Sequence, residues 1–478
     1  MLMAEGDVLI RRTAVEVVEL LRQGEVTPSE LIDAALARIR AVDPAVNALP
    51  TLCVEHARDH ARRMGAVKAE RGSPGWLGGL PIAIKDSMNV TGVRSTQGSP
   101  IFADFVPEVS DIQVETLERR GGIVVARSNV SEFTAGANTY NEVFGKTRNP
   151  WNTALTCGGS SGGSAVALAT GMVWLANGSD LGGSLRIPAS FCSVVGMRPS
   201  PGWVAQGPAP NAFDTLAVSG PMARTVADVA LMLDAMAGFD PRDPLSRPPP
   251  RRSFLERARR PGKPKKVGFS ATLGFLPVDP EVHGIAEAAA RRLGEAGTTV
   301  ETAAPDFGGA REIFRVLRAL RFVTSLGPIY GEHRARLKPD IIANIEAGLS
   351  LTAEEIGRAT REREALYQRV VQFFDSYDLL LTPTVIVPPF DVDQPYLEAV
   401  DGHRFETYWD WLGITYAVTL AGCPALSLPC GFTQSGLPVG LQMVGRPYGD
   451  GELLGFAALL EQSLGLAGKT PIDPQPPR

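Results

Sequence analysis

Cysteine is scarce in this 478-residue chain: Cys53, Cys157, Cys192, Cys423 and Cys430 are the full set. The number is odd and no two are spaced as C-x-x-C. That argues against a disulfide framework and for a reducing compartment, taken here as the cytoplasm. A basic surplus is missing too. Forty-seven Lys and Arg face 52 Asp and Glu, a formal charge of −5, whereas nucleic-acid binders usually carry a strong basic excess. Long hydrophobic runs are absent. The longest mostly apolar stretch, residues 165–176, holds Thr170 and Gly171 and is too short to cross a bilayer as a helix. Residues 1–12 contain Glu5 and Asp7 and no apolar signal-peptide core, so no secretion signal is expected. What remains is 44% hydrophobic and 21% charged, the balance of a soluble globular protein.

The order of local signals points to an α/β chain. Thr27-Pro28-Ser29-Glu30 reads as a helix start, with Thr27 as N-cap, Pro28 first in the helix and Glu30 reaching back to the cap. Leu31, Ile32, Ala35, Leu36 and Ile39 give that helix one apolar face. Gly78-Gly79 then precedes an apolar run, 80–84, that reads as a buried strand ending at Lys85-Asp86. A helix near 114–120, the pair Gly121-Gly122 and a second buried strand at 123–126 follow. This rhythm predicts a largely parallel sheet. Residues 240–266 carry ten Lys and Arg against three acids. An RNA-contacting patch is one reading, but the proline density favours a solvated connector.

The densest chemical signal is TCGGSSGGS at 156–164, followed by NGSDLGGSLR at 177–186. Neither phosphate-binding pattern, G-x-x-x-x-G-K-[ST] or G-x-G-x-x-G, is present. One reading is a glycine turn whose Ser161 and Ser164 cap the next helix. Another is a nucleophile elbow, because 158–162 matches G-x-S-x-G. That motif needs a preceding strand, and 149–152 read as turn. It also needs a histidine, and His56, His60, His283, His333 and His403 lack suggestive neighbours. Lysine is an alternative base. Burial at the end of a strand would lower the Lys85 pKa. Reaching neutrality from ~10.4 corresponds to ~4 kcal/mol.

Together, KD after GGLPIAI, then GGSSGGSA, then D-x-GGS-L-R-x-P, resemble the amidase signature family. SGPMARTVADVALML at 219–233, DLLLTPT and the C-terminal GCPALSLPCGF and GLPVGLQMVGRPYGDGELL extend the likeness over almost the whole chain. The resemblance implies a three-layer α/β/α fold with a large mixed, mainly parallel sheet. It implies Ser184 as nucleophile, Ser160 as the serine after a cis peptide bond, and Lys85 as base. The backbone N–H groups of Leu181, Gly182, Gly183 and Ser184 would form the oxyanion hole. Ser161, Asp180 and Arg186 are assigned to support, and Asp86 to a structural acceptor. Gly136, Ala137, Asn138, Ile187 and Phe191 are the expected substrate contacts, with Phe133, Tyr140, Phe144 and Trp203 as further pocket aromatics. Cys157 stands where the family commonly has proline, which predicts a local loop difference.

Expected organisation is an N-terminal helical segment packed on the core (1–70), the signature core (71–240), a variable region capping the site (241–376), a C-terminal part of the core (377–470) and a loose tail (471–478). The expected activity is cleavage of small or aryl amides through an acyl-enzyme, with ester and carbamate (urethane) hydrolysis as extra activities. The glutaminase subunit of a tRNA-dependent amidotransferase is the alternative. It ranks second because Ile187 stands where such subunits often carry a glutamine that helps bind glutamine. An α/β-hydrolase-type esterase and a non-catalytic scaffold are further alternatives. No cofactor and no metal are expected, since no metal-ligand spacing occurs. The expected partner is a small-molecule amide, ester or carbamate, with no nucleic acid and no membrane. A homodimer is an open assembly state.

Overall fold

A computed structural model describes residues 5–64 and 72–477. The expected boundary at 70/71 and the last residue of the tail lie outside the described residues.

Local chemistry starts the helices where it should. Thr27 Oγ1 accepts from the Glu30 N–H at 3.3 Å, and Glu30 Oε2 accepts from the Thr27 N–H at 2.7 Å. This reciprocal cap satisfies two donors that the helix Pro28–Val46 cannot satisfy itself. Leu31 and Ala35 enter one hydrophobic cluster, while Ile32, Leu36 and Ile39 enter another. The two apolar runs become the strands Pro81–Lys85 and Ile123–Ser128, buried at every residue.

These strands belong to an eleven-stranded sheet. Its order is Thr51–Leu52, Ile123–Ser128, Pro81–Lys85, Leu175–Asp180, Val218–Ala223, Val195–Arg198, Ala425–Phe432, Pro438–Val444, Leu379–Pro383, Lys266–Phe269, Thr299–Thr302. Pro81–Lys85 runs parallel to both neighbours, and so does Lys266–Phe269. The other pairings are antiparallel. The sheet is therefore large and mixed, with its parallel pairs on the two flanks. Parallel neighbours need a crossover, which the helices Ile112–Arg119 and Pro280–Glu295 supply. In the middle, Ala425–Phe432 returns through a tight turn as Pro438–Val444, which forces antiparallel pairing.

Side-chain alternation builds three layers. Leu379 and Leu381 join one hydrophobic cluster and Leu380 the other; Ile82 and Ile84 oppose Ala83 in the same way. One face is covered by Ala14–Gln23, Val226–Met236, Pro280–Glu295 and Asp450–Leu464. The opposite face carries Gly162–Ala169, Arg186–Cys192, Ala310–His333 and Gly413–Leu420.

Residues 241–376 are continuous with the core, since they contribute Lys266–Phe269 and Thr299–Thr302, the last two strands at one side of the sheet. Two expectations change. The basic stretch 240–266 is not simply a solvated connector. It contains the helix Phe254–Arg259, and Phe254, 1% exposed, anchors it in the core. The tail is tied down, since Ile472 N donates to Ala169 O at 2.9 Å and Arg38 Nη2 donates to Ile472 O at 2.9 Å. Among the described residues no helix is long and apolar enough to cross a membrane.

Candidate active site

The strands Pro81–Lys85 and Leu175–Asp180 are parallel neighbours, so their carboxyl ends meet at one edge of the sheet. This is where open α/β sheets place ligands. Lys85 N donates to Asn177 Oδ1 at 2.8 Å, which locks the two ends together. Lys85 is 0% exposed, as is Ser160. The Lys85 amine reaches three hydroxyls: Ser160 Oγ at 2.8 Å, Ser161 Oγ at 2.9 Å and Ser179 Oγ at 3.0 Å. Burial pulls the Lys85 pKa down to about 7, against a smaller upward pull from Asp180. An amine in this state exchanges a proton near neutrality.

The serines come from two loops. The Gly159–Ser160 peptide bond is cis, as the resemblance implied. A strand, Asn152–Thr156, does precede this loop, but it pairs with Arg148–Asn149 outside the main sheet. The α/β-hydrolase elbow is therefore not the geometry found. The following helix is Gly162–Ala169. Ser161 is at its N-cap position but makes no side-chain cap, because its Oγ faces Lys85 instead. Ser164 lies inside the helix, and its Oγ donates to Asn177 O at 2.8 Å. Ser161 N donates to Ser184 O at 3.3 Å, joining the two serine loops. Ser184 is half-buried and lines a cavity of about 390 Å³ together with Ser160 and Ser179. Its hydroxyl forms no hydrogen bond among the described residues.

Of the four candidate oxyanion donors, one is already engaged. Gly183 N donates to Asp180 Oδ1 at 3.1 Å. The N–H groups of Leu181, Gly182 and Ser184 have no acceptor among the described residues, and all three residues line the cavity. Asp180 also accepts from Arg186 Nε at 3.0 Å and Nη2 at 2.7 Å. Burial pushes the Asp180 carboxyl up, but Arg186 and Arg198 outweigh it and hold the pKa at about 2. Arg186 uses its remaining donors on Thr415 O at 3.0 Å, Gln442 Oε1 at 2.6 Å and Thr419 Oγ1 at 3.1 Å. All five guanidinium N–H groups are thus committed inside the protein. Asp86 accepts from Thr96 N at 3.1 Å and Arg127 Nη2 at 3.3 Å, a structural acceptor as expected.

Gly136, Ala137 and Ile187 line the cavity, with Phe133. Asn138 and Phe191, expected there, do not. Asn138 donates to Gln394 O and Pro395 O, both at 2.9 Å, and its Oδ1 accepts from Thr156. Phe191 is 0% exposed and packs edge-on against Phe390. Tyr140 and Phe144 also lie outside the lining, and Trp203 is elsewhere, donating to Asp450 Oδ2 at 2.9 Å. None of the five histidines lines the cavity, and among the described residues no three His, Cys, Asp or Glu cluster to hold a metal.

Ser179, Phe314, Arg318, Arg321 and Trp409 line the cavity but went unread in the sequence. Alternation along Leu175–Asp180 places Ser179 on the same face as Asn177, a signal that could have found it. No local signal marks the others, which arrive from remote segments.

A buried amine serving serine hydroxyls in the wall of a cavity lined in part by glycine is the apparatus of a serine-dependent hydrolase. Residues 30–454 match the Amidase family, and the chain belongs to the amidase signature family of hydrolases. It is similar to the A-subunit of the glutamyl-tRNA(Gln) amidotransferase of Moorella thermoacetica, 35% identical over 94% of this chain and 96% of that one. An acylamidase from Rhodococcus erythropolis is 33% identical, with 96% and 97% covered. The crystal structure of a bacterial aryl acylamidase superposes with a TM-score of 0.88 at 28% identity, covering 96% of this chain and 99% of that one. The A-subunits of further glutamyl-tRNA(Gln) amidotransferases match at 30–34% identity.

Proposed function

We propose that the chain cleaves a carboxylic amide through an acyl-enzyme on Ser184, with Ser160 as proton bridge and Lys85 as base. The observation that carries this reading is the 2.8 Å approach of Lys85 Nζ to Ser160 Oγ, sealed from solvent, beside a half-buried Ser184. Neutral Lys85 takes the Ser160 proton while Ser160 takes that of Ser184. The Ser184 oxygen bonds to the carbonyl carbon, and the carbonyl electrons move to oxygen. The N–H groups of Leu181, Gly182 and Ser184 receive that charge. Collapse breaks the C–N bond as the relay returns a proton to the amine, which leaves badly unless protonated. Water then attacks the ester and frees Ser184. A hydroxyl both donates and accepts, which is why a serine can bridge base and nucleophile.

Two substrate readings remain. The relatives favour glutamine, with this chain as the glutaminase component of an amidotransferase, because most of the near-full-length likeness is to such proteins. This moves ahead of the order drawn from Ile187 alone. The second reading, a free-standing amidase for small or aryl amides with ester and carbamate cleavage, is favoured by the cavity wall of Phe133, Ile187, Phe314 and Trp409. Five unpaired, buried cysteines support a reducing location such as the cytoplasm. Purified chain is to be given glutamine, 4-nitroanilides and 4-nitrophenyl esters alongside a serine-directed fluorophosphonate. Labelling of the wild type that vanishes in Ser184→Ala is expected, and equal labelling of both refutes the nucleophile. Turnover of anilides by the chain alone supports the free-standing reading. Activity that needs an added protein component supports the amidotransferase.

A further inference from the structure

Arg318 and Arg321 lie one turn apart on the helix Ala310–His333 and line the same cavity as Ser160 and Ser184. Arg321 forms an ion pair with Asp214. Arg318 has no such partner: among the described residues no carboxylate lies within ion-pair distance of it. The residue is 6% exposed. It donates to Asn344 Oδ1 and to Tyr408 Oη, both neutral groups. Its guanidinium lies over the rings of Phe322 and Tyr408, at 4.6 Å and 5.1 Å from their centroids. The contacts fix the plane of the group yet occupy only two of five N–H donors. Arg186, fully buried, has all of its donors engaged.

A cation withdrawn from water without a counter-charge is costly. A planar guanidinium held by its neighbours is also the group best shaped to bind a carboxylate through two N–H bonds. The other charges in the cavity leave this position open. Asp180 is held by Arg186 and Arg198, and Arg321 is paired with Asp214, which lies outside the cavity lining. Burial pushes the Asp111 carboxyl up to about 7, which weakens its repulsion of an anion.

We propose that Arg318 binds a carboxylate carried by the substrate, so that the amide cleaved at Ser184 is one that bears a carboxylate. The proposal rests on the reading of Ser184 as nucleophile and narrows its substrate class. Glutamine and carboxylated anilides belong to that class, whereas neutral alkyl and aryl amides do not.

The test uses matched amides. Succinyl-4-nitroanilide against butyryl-4-nitroanilide places the charge on the acyl side. N-acetyl-4-aminobenzoate against acetanilide places it on the amine side. In at least one pair the wild type is expected to favour the charged member by about tenfold or more in kcat/KM, the scale of a charged hydrogen bond. Arg318→Gln should bring that ratio close to one, mainly through KM, and Arg318→Lys should restore part of it. Equal rates within both pairs for the wild type, or an Arg318→Gln variant that slows both members alike, overturns the proposal. If nothing is hydrolysed, calorimetry on Ser184→Ala separates the two questions. Tighter binding of a charged member, lost in the Ser184→Ala/Arg318→Gln variant, upholds Arg318 and places the failure on the hydrolysis reading. Equal binding overturns Arg318 as well.

Discussion

Lys85 Nζ sits 2.8 Å from Ser160 Oγ with no solvent access to either residue, and the same amine is shared by Ser161 and Ser179. A protonated lysine has three N–H donors for these three hydroxyls. A neutral one keeps a lone pair, which one of the hydroxyls must then supply with a proton. The balance between these states governs the behaviour expected of the site.

The first expectation concerns pH. With Lys85 lowered to about 7, kcat/KM should rise through pH 7 as the amine becomes neutral, then level off. A profile flat from about pH 5 to 9 removes Lys85 as base. Stability should move in the same direction. Between pH 7 and 10.5 the unfolded chain holds the Lys85 proton and the folded chain does not, so folding gains as pH rises through that window. The displacement from 10.5 to about 7 corresponds to roughly 5 kcal/mol. Lys85→Met should therefore abolish amide turnover yet melt above wild type at about pH 6, with the gap narrowing by about pH 9. A gap independent of pH contradicts this account.

Ser179 offers the sharpest check on the geometry, because no motif singles it out. Ser179→Ala removes an acceptor of the Lys85 ammonium at 3.0 Å. The acid limb of the pH profile should shift downward, and kcat should fall by about tenfold with KM little changed. Ser179→Thr, which restores a hydroxyl, should recover most of the loss. An unshifted pH limb in Ser179→Ala reduces the residue to packing.

Asp180 is the sole carboxylate in ion-pair reach of both buried Arg186 and Arg198 among the described residues. Asp180→Asn leaves two interior cations uncompensated and should cost about 3–5 kcal/mol in urea unfolding. Its pKa of about 2 is below the ordinary 3.8. The stability it lends is complete above about pH 4 and drains away as pH falls toward about 2. An acid-unfolding curve identical for wild type and Asp180→Asn contradicts this role.

Gly163 lies one turn from the cis peptide, where the helix Gly162–Ala169 presses on the backbone of Asn129. A Cβ there would overlap Asn129 N and stand 2.6 Å from Ala48 O. At Gly182 a Cβ would meet only Phe314 at 3.6 Å and Leu412 at 3.8 Å. Gly163→Ala should lose about 3 kcal/mol of stability, while Gly182→Ala should fold normally. Equal melting temperatures for the two variants would show that the helix can shift.

How much of this was legible depends on how local each feature is. The cap formed by Thr27 and Glu30 spans three residues, and the two buried strands are short apolar runs, so both could be read directly. Lys85 could be read because a charged residue at the end of an apolar strand is conspicuous. Ser160 and Ser184 stood out through their flanking glycines, although their roles came from resemblance. Asn138 and Phe191 were misplaced because they neighbour cavity residues in the chain while packing and hydrogen bonds turn their side chains elsewhere. The support assigned to Arg186 takes its form from acceptors far along the chain, Thr415, Thr419 and Gln442, which no local spacing marks.

The order of elements, the capping of helices and the chemistry available at Lys85, Ser160 and Ser184 follow from the amino-acid sequence, because they depend on side-chain type and short spacing. The depth at which Lys85 is buried, its lowered basicity and the approach of Arg318 from a helix more than a hundred residues away were decided by tertiary structure alone. Desolvation and ion pairing depend on what surrounds a group in space, and separation along the chain does not encode that distance.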